Sequence, residues 1–148
     1  MIYLRLVQIV SGWVALCHLV LGGLGLVGDP GLIAGLVRVF YGARLEIDLT
    51  LFYVAKLLSV YFLAFGALAL AIALRPRKYL NLVPIVVGFF VLRLAELVWF
   101  QQMIGERFLV ADNRLIEKIV SFAVIAAVLA FAAWRVRGSH GVPAPQAR

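Results

Sequence analysis

Apolar residues run along this chain in four long stretches, separated by short breaks rich in charge, glycine or proline. The stretches cover residues 6–27, 50–74, 82–103 and 115–134. Each reaches the roughly 20 apolar residues that a helix needs to cross the ~30 Å hydrocarbon core of a bilayer. The pattern predicts an all-α polytopic membrane protein, a four-transmembrane-helix bundle that forms one domain over residues 1–134. On a helical wheel Ser11, Ala15, His18, Gly22 and Gly25 share one face of the first span. Small residues let membrane helices approach closely, so this face is expected to point into the bundle.

The breaks carry their own signals. GDPG at 28–31 interrupts the first span, and after it Leu32, Ile33, Leu36, Val37, Phe40 and Tyr41 recur at helical spacing. That predicts a short interfacial helix in the first extracytoplasmic loop rather than free coil. RPRKY joins the second and third spans, and Pro76 prevents one continuous helix through it. IGERFLVADNR, of mixed charge, reads as a loop. Residues 135–148, RVRGSHGVPAPQAR, read as a disordered basic cytoplasmic tail in which His140 is solvated. A cleaved signal peptide competes for the first stretch. Its apolar length exceeds the usual 7–15 residues and GDPGLIAG offers no small-x-small site, so a retained span is expected.

Composition agrees with the pattern: 65% of the residues are hydrophobic, against roughly 45–50% in soluble domains, and the mean hydropathy is +1.06. The net charge of +7 would suggest nucleic acid in a soluble protein. Here the basic residues gather at span ends, where they orient helices and meet anionic headgroups, so nucleic-acid binding is excluded. With both termini and the RPRK turn cytoplasmic, that side holds Arg5, Arg75, Arg77, Lys78, Arg135, Arg137 and Arg148, half of the 14 basic residues and none of the 7 acidic ones. This is the bias of the positive-inside rule, and four spans require both termini on one side. Tyr3, Tyr79 and Trp134 at one boundary, with Phe40, Tyr41, Tyr53 and Trp99 near the other, fit aromatic belts. The single cysteine, Cys17, has no internal disulfide partner and reads as a packing residue.

The chemistry is concentrated in the few polar residues inside the spans. Arg93 and Glu96 sit within the third span, on one helical face with Phe89 and Phe100. A charge at the centre of a spanning helix costs roughly 2.5–3.5 kcal/mol on insertion scales, so such residues normally face protein and have partners. Tyr53, Lys56 and Ser59 lie on one side of the second span, His18 lies near the middle of the first, and Glu117, Lys118 and Ser121 lie at the rim of the fourth. Arg93, Glu96, His18, Lys56, Ser59 and Tyr53 are the candidate cluster. Arg93 and Glu96 are expected to bond polar groups of the first two spans, chiefly His18, Lys56 or Ser59. Lys56 has a second account, in which it snorkels to the headgroups. The cluster as a whole also has two: ion pairing that holds the helices together, or a ligand site. Lys56 and Arg93 against Glu96 leave a positive surplus, suited to a lipid headgroup or a quinone ring.

Other chemistries are excluded or demoted. A bis-histidine haem, zinc or copper site would need a second intramembrane His or Cys. There is no phosphate loop and no GxSxG motif, and GLGLVG at 23–28 ends a lipid-length helix with no preceding strand. No nucleophile stands out beyond Cys17 and scattered serines, so no independent catalytic activity is expected.

KLLSVYFLAFGALALAIALRPRKYL leading into FFVLRLAELVWF, followed by ERFLVADNRLIEK and an alanine-rich span, resembles the small four-helix membrane proteins of the DoxX and BphX-like group over about residues 50–134. The resemblance implies a bacterial inner-membrane protein. DoxX-type members are membrane subunits associated with quinone-linked oxidation, whereas BphX-like members have no settled activity. Arg93 matches the arginine of the third helix in that group and RPRK matches its basic connection, while His18 and Lys56 have no mapped counterpart. Two functions stay open: an accessory or binding subunit for a lipid, a quinone, a partner protein or a second copy, and a small oligomeric transporter or proton-coupled carrier with Glu96 and His18 as titrating groups. The halves show no internal repeat, which weighs against a monomeric carrier.

Overall fold

The computed structural model describes residues 2–44 and 46–138. The first helix, α1, spans Ile2–Val27. It is followed by α2 (Pro30–Tyr41), α3 (Leu49–Leu74), a 3₁₀ turn at Leu80–Leu82, α4 (Val83–Trp99), α5 (Gln101–Phe108) and α6 (Asp112–Gly138). Four segments are long and apolar enough to cross a membrane: Ile2–Val27, Leu49–Leu74, Leu80–Trp99 and Asp112–Gly138. The fold is thus an all-α membrane bundle of four spans, with α2 as the expected short helix in the first loop.

Local chemistry sets the ends of α2 and α3. Asp29 caps α2 by accepting the Leu32 N–H at 2.8 Å, with Pro30 preset for the first turn. Gly42, at φ 72, ends the helix in the left-handed conformation and sends its N–H to the Arg38 carbonyl at 2.9 Å. Asp48 repeats the cap on α3, accepting the Leu51 N–H at 2.7 Å.

Two segments differ from expectation. The third span ends at Trp99 rather than continuing to Met103, and the expected loop over 104–114 is largely helical, its first five residues in α5 and its last three in α6. The reason is amphipathicity. Gln101, Gln102, Glu106 and Arg107 cannot enter lipid, but alternate with Met103, Ile104 and Phe108 at helical spacing. Gln102 Nε2 also donates to Glu106 Oε1 at 3.1 Å across one turn. Residues 135–138, expected in the tail, instead extend α6. There the Arg135 guanidinium lies 5.2 Å from the Tyr3 ring and Arg137 donates to the Leu80 carbonyl at 3.5 Å. The rest of that tail, His140 included, lies outside the described residues.

The bundle is closed at one end and loose at the other. α1 packs most extensively on α3, α4 packs on α6, and α1 also meets α6, whereas α3 and α4 are not closely packed. The core draws Val7, Val14 and Ala15 from α1, Ala69 and Ile72 from α3, Val83, Val86 and Phe90 from α4, and Ala126, Leu129, Ala132 and Ala133 from α6. All but Ala15, at the middle of α1, lie in the RPRK half of their helix. The α1–α3 contact runs through glycine. A Cβ on Gly22 would meet Leu63 and the Ser59 carbonyl at 2.9 Å, and one on Gly66 would meet Leu19 at 2.8 Å. Ser11, Ala15, Gly22 and Gly25 are buried, as the small face of α1 requires.

Candidate functional site

A layer of aromatic rings floors the loose half. His18 of α1 is surrounded by Phe65, Phe62, Phe89 and Phe90, with centroids at 4.8, 5.6, 6.1 and 6.3 Å. Phe65 of α3 and Phe89 of α4 meet at 4.2 Å, which bridges two helices that otherwise stand apart.

Above this layer lie three adjoining pockets. One of about 340 Å³ occupies the α3–α4 gap, with Gly25, Ser59, Phe62, Phe65 and Phe89 in its walls and α2 residues over it. A second, of about 430 Å³, lies where α4, α5 and the start of α6 converge. The two share Val37, Tyr41 and Arg93. A third, of about 260 Å³, runs between α1 and α6 past Cys17, His18, Lys118 and Ser121. The first two fall within the size range of small-molecule sites and are lined mainly by apolar side chains, with few polar groups.

The polar residues do not form the expected cross-helix network. Arg93 Nη1 donates to Glu96 Oε2, a pair made within α4 at spacing i, i+3, and the two side chains remain 30% and 47% exposed. His18 donates through Nδ1 to its own helix, at the Val14 carbonyl, 2.8 Å away. Ser59, 3% exposed, likewise bonds within its helix, to the Ala55 carbonyl at 2.7 Å. The reason is proximity. The i, i+3 and i, i+4 partners are always within reach on a helix, while the α3–α4 gap keeps Arg93 from the groups of α3.

Lys56 does not join Glu96. Its Nζ donates to the Leu26 carbonyl at 2.7 Å and to the Gly28 carbonyl at 2.5 Å, and lies 4.8 Å from the Phe52 ring. It therefore caps the C-terminus of α1, where free carbonyls and the negative end of the helix dipole favour a cation. Tyr53 is 65% exposed and lines none of these three pockets. Of the candidate residues, Arg93 and Ser59 share the α3–α4 pocket, Glu96 joins Arg93 in the second pocket, and His18 faces the third.

Arg114 and Tyr41 line the site without having been among its candidates, and Lys118, which depth counting placed at the rim of the fourth span, lines it as well. Lys118 lines the second and third pockets, and Arg114 lines the second while pairing with Glu117 at 3.0 Å. Lys118 stands about 9 Å along α6 from Asp112, much as Arg93 stands about 9 Å along α4 from Trp99. Among the described residues no group of three or more His, Cys, Asp or Glu converges to hold a metal. Comparison of the chain with protein-family models, with curated proteins and with solved structures gives no match.

Proposed function

We propose that this integral membrane protein is a non-catalytic binding module for an amphipathic small molecule, held with its apolar part between α3 and α4 and its polar end at Arg93 and Glu96. One observation carries this: Arg93 stands on the wall common to two apolar pockets, with its partner Glu96 in the lining of the second, in the half of the bundle where the helices do not close on one another. A pair serving only to tie helices together would bridge two of them, and this one bonds within α4.

A lipid or a quinone suits such a site, since either places a long apolar chain beside a polar head. The resemblance to the DoxX and BphX-like group favours the same class and a bacterial inner membrane, and the basic bias of the RPRK side favours cytoplasmic termini. A proton-coupled carrier would rely on Glu96 and His18 acting together. Glu96 accepts from Arg93 and His18 is enclosed by rings, so no contact favours that alternative.

Purification in mild detergent, followed by mass spectrometry of the extracted small molecules and proteins, tests the proposal. The expected result is a stoichiometric lipid or quinone that R93L/E96L loses while remaining folded. A stoichiometric protein subunit with no small molecule would turn the reading toward an accessory role, and retention of the small molecule by the double variant would overturn the site.

A further inference from the structure

We propose that the 430 Å³ pocket between α4, α5 and α6 takes an amphiphile bearing a single acidic head group, a carboxylate or a phosphate diester, and that Lys118 is its counter-ion. This rests on the binding reading above and gives the charge of the ligand. Four charged residues line the pocket: Arg93, Glu96, Arg114 and Lys118. Arg93 is matched by Glu96, and Arg114 by Glu117 just outside the lining. Lys118 makes no hydrogen bond or ion pair among the described residues. The pocket therefore keeps one positive charge.

Its position makes that charge costly to leave alone. Lys118 is half-buried and borders two pockets, the second of which also holds Cys17, His18 and Ser121. About 9 Å of α6 separates its backbone from the helix start, and its side chain is part-covered by the pocket walls. Lys56 meets the same difficulty by donating to two backbone carbonyls at the end of α1. Tyr41, Phe100 and Phe108, at the C-terminal ends of α2, α4 and α5, line the same pocket, yet no carbonyl there accepts from Lys118, and its three donors have no equivalent among the described residues. A half-buried cation without a protein partner favours an anion brought in by a ligand. The walls select what accompanies the anion: Leu51, Leu97, Phe100, Ile104 and Leu115 offer only apolar surface. An acyl chain fits them, and through the shared Val37, Tyr41 and Arg93 it can continue into the α3–α4 gap.

The test measures binding of four probes to the full-length protein in mild detergent by native mass spectrometry: oleate, uncharged oleyl alcohol, dioleoylphosphatidylglycerol and zwitterionic dioleoylphosphatidylcholine. At least one acidic probe is expected to bind about tenfold more tightly than its partner of no net charge, the preference one charge-assisted contact supplies. K118Q should erase that preference and leave oleyl alcohol binding unchanged, while K118R keeps it. Oleate preferred identifies a fatty-acid site and phosphatidylglycerol preferred a phospholipid site, and either supports the proposal. Equal binding of acidic and uncharged probes, or a preference that survives K118Q, overturns the role of Lys118 and leaves amphiphile binding standing. Binding of none of the four removes both. If K118Q does not fold, E96Q carries the test: freeing Arg93 should strengthen the preference for the acid, and an unchanged or weaker preference overturns the proposal.

Discussion

Each polar side chain inside this bundle meets one problem, the cost of an unsatisfied group in a low-dielectric medium, and the solutions differ. Arg93 and Glu96 answer it within one turn, Lys56 by borrowing the carbonyls that end α1, and His18 and Ser59 by bonding back into their own helices. Removing one member of the α4 pair leaves the other charge uncompensated. E96L alone is therefore expected to lower the thermal midpoint in detergent by several degrees, and R93L/E96L by less; a double variant no better than E96L would dissolve the coupling. Lys56→Met should cost roughly 1–3 kcal/mol, since two carbonyls lose a charged donor. Proteolysis should then sharpen at the corner between α1 and α2, and an unaltered cleavage pattern would show that the cap holds nothing in place.

At the scale of elements, the α1–α3 pair is the rigid part, and it is rigid because glycine allows two backbones to come close. Gly22→Leu and Gly66→Leu push a side chain into Leu63 and Leu19 respectively and should destabilise by about 1–3 kcal/mol. A Cβ at Gly23 or Gly88 meets nothing within 4 Å, so Gly23→Leu and Gly88→Leu serve as controls and should stay near the wild-type midpoint. Equal effects at all four positions would remove the packing argument. The small face of α1 was readable beforehand because helical periodicity alone places Ser11, Ala15, Gly22 and Gly25 together. The end of α4 was not: apolar and polar residues intermix from Trp99 to Phe108, so composition suited both a longer span and a loop.

For the whole molecule, packing and openness divide the bundle into two halves. The RPRK end contains the core, and the opposite end contains the pockets and the helices α2 and α5 that border them. The orientation proposed above rests on charge, with seven basic residues and no acidic one at the RPRK side and the termini, and labelling tests it. In a Cys17→Ser background, a membrane-impermeant maleimide added outside should label Arg107→Cys and not Arg77→Cys. Labelling of Arg77→Cys alone would invert the topology, placing the pocketed half inward.

By itself the sequence determined the number of spans, their approximate limits, the helix in the first loop and the inward face of α1. Insertion depends on the apolar length of each segment, and a helical face on spacing within it, so both are local quantities. Which polar groups meet was decided by tertiary structure alone. Depth along a helix can be counted, but a lateral partner depends on how far apart neighbouring helices stand and how each is turned about its axis. Here α3 and α4 stand apart above the Phe65–Phe89 contact. That gap turned an expected interhelical network into separate bonds within helices, made the pockets of this half mainly apolar, and left Lys118 and Arg93 in the lining of one of them.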